Sequence, residues 1–247
     1  MRSGNFGTRT RSGEMVRASL TADFEEEVRR GIRRLLPDAS VVEVRAIRDY
    51  LADLSPEEFD LVRDAVRSRH LEFSTGRACA HAAMKSLGVG WEPLLRLPDR
   101  SPDWPLGIVG SISHSHGMCI CAAAPTEKVR SIGIDIEKIA DVDSAMFSLI
   151  CGQEELNLAA NMPKYLSDIY VTLLFSAKEA LYKCDKTVRN SKLGFKDVQI
   201  KTFGQVANSS QMRADFTRKS SVLDISCRSA VGRWQVCGNY VITVFYL

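Results

Sequence analysis

The fold of this chain is decided by residues 107–139, which read GIVGSISHSHGMCICAAAPTEKVRSIGIDIEKI. The first part holds two short apolar runs around a Ser-Ile-Ser-His segment, and the last part alternates like a strand, with polar residues at Asp135 and Glu137. A short polar link, residues 125–130, separates the two parts and marks a boundary. The expected organisation is a flexible tail over residues 1–20, an N-terminal half over 21–126 and a C-terminal half over 127–247.

Patterns on either side of this stretch predict a mixed α and β structure. Upstream, helical periodicity covers residues 21–36, and Ser55 and Glu58 can form a capping box for a helix that begins at Pro56. Downstream, helical patterning is interrupted near residues 162–163. The other predicted elements are a strand at 41–47, a helical stretch to residue 88, helices within 145–174 and at 176–186, and strands at 195–202, 211–217, 221–227, 233–237 and 240–246.

The composition is that of an ordinary globular protein and excludes several classes. The 247 residues include 33 Lys and Arg against 30 Asp and Glu, and a net charge of +3 is too small to indicate nucleic acid as the main partner. No apolar run approaches the roughly 20 residues of a membrane span, and residues 1–13 lack the apolar segment of a secretory signal. Seven cysteines without a C-x-x-C pair favour reduced thiols and a cytoplasmic location.

Two carboxylates in the segment Gly-Ile-Asp-Ile-Glu are candidates for a metal site. Asp135 and Glu137 are two apart, so on a strand they point to the same side. Two like charges at one point are costly unless a cation joins them, and hard oxygen ligands suit Mg²⁺. The alternative from spacing alone is an exposed strand face that ends in a charged turn.

The segment FSAKEALYK, residues 175–183, supplies the second candidate. Glu179 and Lys183 lie on one face of a helix at i, i+4 spacing. A capping box between Ser176 and Glu179 would explain those two residues without catalysis, but it would not explain Lys178 and Lys183. A surface ion pair explains Lys183 as well as a phosphate contact does.

Two further segments carry groups that bind phosphate. Ser113 and His114 lie in a stretch rich in glycine and hydroxyl groups, although a histidine can equally satisfy a buried turn. Arg69 and Arg77 are eight apart and fall on roughly similar sides of one helix, where they can grip a phosphate or lie on a solvated surface. No G-x-S-x-G elbow is present, which disfavours a serine hydrolase.

In this order and spacing, four segments resemble the Sfp-type 4′-phosphopantetheinyl transferases, in particular the enterobactin-synthetase component D branch. They are R-x-x-E-F-x-x-G-R-x-C-A (69–80), R-x-P-x-W-P-x-G-x-x-G-S-x-S-H (100–114), G-x-D-x-E (133–137) and F-S-x-K-E-A-x-x-K (175–183). The resemblance implies an α+β fold of two similar α/β halves related by pseudo-two-fold symmetry, with the active site in the cleft between them. The nucleotide grip would belong to the N-terminal half, and the Mg²⁺ carboxylates and catalytic helix to the C-terminal half.

The resemblance also implies a reaction and roles for the candidate residues. Phosphopantetheine would move from coenzyme A to a serine of an apo acyl, peptidyl or aryl carrier protein, with Mg²⁺ required and 3′,5′-ADP released. Glu179 would act as general base, and Lys183 would offset charge on the diphosphate. The implied metal ligands are Asp135, Glu137 and Glu179, and the implied coenzyme A contacts are Arg69, Arg77, Arg100, Ser113, His114, Lys178 and Lys183.

The expected partners follow from this chemistry. The carriers would belong to nonribosomal peptide (siderophore), polyketide or fatty-acid synthases, and a monomer is expected because one chain would form the whole cleft. The basic residues that could steer an acidic carrier are Lys186, Arg189, Lys192 and Lys196. The alternatives are a non-enzymatic module that binds coenzyme A or a nucleotide, and a Mg²⁺-dependent hydrolase of a nucleotide diphosphate.

Overall fold

A computed structural model describes residues 21–139, 144–189, 194–206, 209–216 and 229–247. Within these residues the fold is α+β, as predicted, with a three-stranded and a five-stranded antiparallel sheet. The smaller sheet has the order β1-β3-β2 and the larger has β4-β8-β7-β6-β5. The strands are β1 (Val41–Ala46), β2 (Ile108–Ser115), β3 (Met118–Pro125), β4 (Ile132–Lys138), β5 (Val198–Val206), β6 (Ser209–Phe216), β7 (Ser229–Cys237) and β8 (Tyr240–Tyr246).

The helices of the first half confirm the sequence patterns closely. Helix α1 (Ala22–Leu35) begins at the cap Thr21. Helix α2 (Pro56–Asp60) has the predicted capping box, in which Glu58 Nα donates to Ser55 Oγ and Ser55 Nα donates to Glu58 Oε2. The long stretch that follows is a separate helix, α3 (Arg67–Ser86). Arg69 and Arg77 therefore lie on one continuous helix.

The β2–β3 hairpin closes with a two-residue turn, His116-Gly117. Both residues have positive φ, +40° and +88°, as a type I′ turn requires. The turn is held from the larger sheet, because the Tyr240 hydroxyl donates to the carbonyl of His116 at 2.9 Å. The hairpin therefore fixes the register that places Ser113 and Ser115 on one face of β2.

The helices of the second half differ from prediction at one point. The helical stretch before Pro163 is α4 (Ser144–Ile150) and α5 (Gln153–Ala160), and α6 (Lys164–Arg189) begins directly after that proline. The predicted capping box at Ser176 is wrong, because Ser176 lies in the middle of α6. Its hydroxyl bonds to Thr243 Oγ1 on β8 at 2.8 Å, so packing against the sheet accounts for this serine. The strand predicted at 221–227 lies outside the described residues.

Helix α6 packs directly on β4, and a glycine makes that contact possible. A Cβ atom at Gly133 would lie 1.8 Å from the carbonyl oxygen of Ala180 and 2.6 Å from the amide nitrogen of Cys184. Only hydrogen in place of a side chain permits this approach. The glycine of the Gly-Ile-Asp-Ile-Glu segment thus seats α6 beside Asp135 and brings Lys183 within bonding distance of it.

One hydrophobic core joins the two sheets. The cluster around α1 contains Val44 and Ile120 from the smaller sheet together with Ile134 and Val244 from the larger sheet, all fully buried. A shared core of this kind holds the two edge strands β2 and β4 in a fixed relation. In the described part of the chain, no helix is long and apolar enough to cross a membrane.

Candidate active site

Asp135 is the centre of the candidate site. It is buried on β4, and its Oδ1 accepts hydrogen bonds of 2.7 Å from both Lys183 Nζ on α6 and Ser113 Oγ on β2. The second oxygen, Oδ2, is buried and has no hydrogen-bond partner among the described residues. A buried carboxylate oxygen without a partner is costly, so this atom identifies a position where a ligand is needed.

The other two predicted metal carboxylates lie around Asp135. Burial and the charge of Asp135 raise the pKa of Glu137 to about 8, although a hydrogen bond from Ser115 opposes that rise. Burial also raises the pKa of Glu179, with Lys183 opposing the rise and Asp135 adding to it. The three carboxylates are therefore close enough for the charge of Asp135 to raise the pKa of the other two. In the described ranges, however, no group of three His, Cys, Asp or Glu side chains is already arranged to hold a metal ion.

A groove of about 900 Å³ is lined by residues of α6, of β2 and of the segment 97–104. Glu179 and Lys183 line one wall, from α6, and Arg100 lines the other. Arg100 sits in a turn in which its amide donates to Leu97 O at 2.8 Å, and its own φ is +71°. Left-handed backbone is unusual for arginine, and such strain clusters at binding sites. The predicted residue Arg100 thus faces the same groove as Glu179 and Lys183.

An ion pair connects the two walls of the groove. Lys186 Nζ lies 3.1 Å from Asp99 Oδ2 and 3.1 Å from the Tyr182 hydroxyl. Hydrogen bonds from Ser101, and then the Lys186 ammonium, lower the pKa of Asp99 to about 2. Lys186, predicted to steer a carrier, is therefore engaged at the groove. Of the other steering residues, Lys196 lies in a short 3-10 turn, whereas the Arg189 side chain and Lys192 are outside the described parts.

Arg69 and His114 form a second pair at the site. Arg69 Nη1 lies 3.2 Å from His114 Nε2, and Glu72 Oε2 lies 3.5 Å from the same arginine nitrogen. Burial lowers the pKa of His114, Glu72 opposes this effect, and Arg69 and Lys183 add to it. Arg69 is thus shared between the His114 imidazole and the Glu72 carboxylate. The structure therefore brings these two segments together, 45 residues apart in the chain.

Arg77 is buried beneath this pair, and it lies close to Arg96, an arginine that the sequence analysis did not identify. Burial lowers the pKa of Arg77 to about 10, with Glu58 opposing and Arg96 and Arg69 adding to the effect. The guanidinium carbons of Arg77 and Arg96 lie 4.4 Å and 5.9 Å from the Phe73 ring centre. Burial and the charges of Arg69 and Arg100 also lower the pKa of Arg96. Arg69 and Arg77 each have one carboxylate partner, Glu72 and Glu58, so the four arginines leave an excess of positive charge that can bind an anion.

Lys178 lies away from these groups. Its amine is buried, 2.7 Å from Glu155 Oε2 and 2.8 Å from the carbonyl of Ile150. Glu155 also accepts hydrogen bonds from the amides of Gly152 and Ile200, so the pair ties α6 to α5 and β5. This arrangement gives Lys178 a structural role and leaves its ammonium engaged away from the groove. Ser113, also predicted to contact coenzyme A, instead has its hydroxyl engaged by Asp135 and Lys183.

Family models cover most of the described chain. Residues 57–124 match the 4′-phosphopantetheinyl transferase N-terminal domain, and residues 131–245 match the 4′-phosphopantetheinyl transferase superfamily. The boundary between the two matches falls in the link between β3 and β4. The chain belongs to the 4′-phosphopantetheinyl transferase family, and the predicted class, a transferase, is confirmed.

Individual relatives agree with this assignment. The chain is 34% identical to the 4′-phosphopantetheinyl transferase Svp of Streptomyces mobaraensis, over 68% of this chain and 70% of that protein. It is 32% identical to the transferase PptT of Mycobacterium tuberculosis, over 78% and 85% of the two chains. It is also 38% identical to enterobactin synthase component D of Salmonella typhimurium, over 50% and 51%. The predicted resemblance to the component D branch is thus confirmed.

Proposed function

We propose that the protein transfers 4′-phosphopantetheine from coenzyme A to a serine of an apo carrier protein. The serine oxygen forms a bond to the β-phosphorus of coenzyme A as the bond from that phosphorus to the bridging oxygen breaks. The serine proton passes to a base, and 3′,5′-ADP leaves with the electron pair. The observation that carries this proposal is Asp135, a buried carboxylate that bonds to Lys183, which in turn lines a groove of about 900 Å³.

Mg²⁺ is the ion that the donor set fits. Asp135 Oδ2 is a buried oxygen without a hydrogen-bond partner in the described chain, and Glu137 and Glu179 have pKa values raised by burial and by neighbouring negative charge. We infer that these three carboxylates hold Mg²⁺, which prefers a few carboxylates together with phosphate oxygens. When bound, the ion would neutralise charge on the diphosphate.

Lys183 and Glu179 have distinct roles in the proposed reaction. The ammonium of Lys183 lies between Asp135 and the groove, so it can contact the diphosphate and offset charge on the departing ADP. Glu179 faces the groove, and burial raises its pKa. From this position it can accept the proton of the incoming serine, directly or through one water molecule. Ser113, bonded to both Asp135 and Lys183, would orient them rather than bind substrate.

The nucleotide end of coenzyme A would lie toward the arginine groups. Arg100 lines the groove, and Arg69 lies beside His114 at the opposite end of β2 from the link. Arg77 and Arg96, both near the Phe73 ring, add positive charge from beneath. Arginine provides a planar fork of donors that suits a 3′-phosphate, and the four residues together favour a doubly charged anion.

The biological setting is proposed from the relatives. The three relatives are named 4′-phosphopantetheinyl transferase or enterobactin synthase component D. We therefore propose that the acceptors are carrier domains of siderophore or other nonribosomal peptide, polyketide or fatty-acid synthases. We propose that the protein acts as a monomer, with an active site in the cleft between two related halves, and that nucleic acid is not a partner. Buried cysteines without disulfides in the described chain support a reducing compartment such as the cytoplasm.

One experiment separates this proposal from its alternatives. The protein is incubated with coenzyme A and Mg²⁺, with and without a panel of apo carrier proteins, and both carrier mass and 3′,5′-ADP are measured. We expect ADP only when a carrier is present, in proportion to the carrier that gains phosphopantetheine. Release of ADP without a carrier would instead identify a hydrolase. Binding of coenzyme A with no release in either arm would identify a non-enzymatic module.

A further inference from the structure

Three serines alternate along β2 and all of them contact β4. Ser111 Oγ accepts a hydrogen bond of 3.1 Å from the Ile134 amide, and Ser113 Oγ donates to Asp135 Oδ1 at 2.7 Å. Ser115 Oγ donates to Glu137 Oε2 at 3.0 Å. All three serines are at most 6% exposed. Alternate positions on a strand share a face, so one face of β2 forms hydrogen bonds to β4 at three alternate positions.

These contacts join two edge strands that belong to different sheets. The backbone ladder of β2 runs to β3, and that of β4 runs to β8. In the described residues, the hydrogen bonds from β2 to β4 are made by serine hydroxyls. Two of the hydroxyls that link these strands, those of Ser113 and Ser115, are therefore also the ones that bond to Asp135 and Glu137.

Ser115 is placed to fix the direction of the Glu137 carboxylate. Its hydroxyl also accepts from the Lys138 amide at 3.3 Å and lies 3.3 Å from His116 Nδ1, so it is anchored to the end of β4 and to the hairpin turn. Glu137 lies near the end of β4 and is only partly buried. A long glutamate side chain in that position needs a donor to select one orientation.

We propose that Ser115 is a positioning residue for a divalent ion, acting through Glu137. This inference rests on the proposed function, because it takes Glu137 to be one of the ligands. Hydrogen-bond partners of metal ligands raise metal affinity by holding the ligand in its binding orientation, and their loss typically costs about 10–100-fold in affinity. Ser115 is not in contact with the reacting atoms, so its effect falls on the ion and not on the chemical step.

The test is a titration of the full chain with Mn²⁺ in the presence of coenzyme A. The concentration of free Mn²⁺ is measured by electron paramagnetic resonance at each step, which gives the dissociation constant. Ser115→Ala is expected to weaken Mn²⁺ binding by about 10-fold or more. Transfer by the same variant should need a correspondingly higher Mg²⁺ concentration, while kcat at saturating Mg²⁺ stays close to that of the wild type. The control is Ser111→Ala, which removes a buried serine of the same strand face that bonds to a backbone amide and not to a carboxylate.

A second pair of variants tests the same role if Ser115→Ala reduces the stability of the protein. Ser115→Thr keeps the hydroxyl and Ser115→Val removes it, with nearly the same shape and with good strand propensity. Threonine is expected to restore Mn²⁺ affinity and valine is not. Equal affinity of the two folded variants, or a loss in Ser111→Ala as large as in Ser115→Ala, would overturn the positioning role.

The outcome also separates this inference from the proposed function. If the wild type transfers phosphopantetheine with Mg²⁺ and Ser115→Ala binds Mn²⁺ as well as the wild type, the positioning role is overturned and the transferase stands. If the wild type neither binds Mn²⁺ nor depends on a divalent ion, the metal assignment fails, and the role of Ser115 fails with it.

Discussion

Replacement of Lys178 by methionine is expected to destabilise the protein strongly without disturbing coenzyme A binding. The Lys178 amine and the Glu155 carboxylate form an ion pair of 2.7 Å in which each side chain is 2% exposed. Methionine fills much of the same space but leaves the Glu155 charge buried without its cation. Two backbone amides, those of Gly152 and Ile200, would still donate to that carboxylate.

The magnitude follows from this burial. Removal of one partner from a buried ion pair costs about 3–5 kcal/mol of unfolding free energy. For a chain of this size, each kcal/mol lowers the melting temperature by about 2–4 °C, so the expected fall is about 6–20 °C. The matched control is Lys164→Met, because Lys164 pairs with Asp168 on the same helix but its side chain is 84% exposed. That surface pair should contribute less than about 1 kcal/mol.

The assay combines urea unfolding with steady-state kinetics. Unfolding free energies are measured for the wild type, Lys178→Met and Lys164→Met, and KM for coenzyme A is measured at a temperature where all three are folded. The structural role predicts a large loss of stability and an unchanged KM for Lys178→Met. A stable Lys178→Met variant with KM raised about 10-fold, equivalent to about 1.4 kcal/mol of lost binding, would refute this reasoning and return Lys178 to the phosphate site.

The remaining predictions concern the packing, the histidine and the ion. Gly133→Ala is expected to lose at least about 3 kcal/mol of stability in urea unfolding, because its Cβ would overlap the Ala180 carbonyl; a loss below about 1 kcal/mol would contradict that contact. Burial lowers the pKa of His114, so NMR titration should place it below the usual value of about 6.5. Since the unfolded chain then binds the proton first, stability should decline as pH falls below about 6.5, and His114→Gln should weaken that decline. Excess EDTA should stop carrier modification and added Mg²⁺ should restore it, whereas undiminished turnover in EDTA would contradict the proposed ligands.

Periodicity and capping chemistry identified most of the fold from the sequence. The capping box of Ser55 and Glu58 is a local pattern and forms as predicted. The strand expected at the end of residues 107–139 is β4, but its first five residues are all buried, so the predicted alternation is absent. The start of α6 was misplaced because Ser176 has the local chemistry of a cap. Its actual partner is Thr243, which is 67 residues away in sequence and on another element.

The sequence predicted which residues belong to the candidate site, but it did not predict which of them are buried. Lys178 and Lys183 both follow Phe175 on one helix, and the motif alone does not show that one is buried against Glu155 while the other reaches Asp135. Burial against other elements decides this, and it is a property of the tertiary structure. Arg96 lay in an irregular segment with no periodic pattern, so only the folded chain places it near Phe73.

The most direct test of the central claim is the mass of an apo carrier protein after incubation with coenzyme A and Mg²⁺ and the wild type, Glu179→Gln or Asp168→Asn. Glu179 faces the groove, whereas Asp168 lies earlier on the same helix and pairs with Lys164. We expect the carrier to gain one phosphopantetheine group with the wild type and with Asp168→Asn. We expect it to remain unmodified with Glu179→Gln, although that variant folds normally. Full modification of the carrier by Glu179→Gln would contradict the claim that carboxylates of β4 and α6 form the catalytic centre.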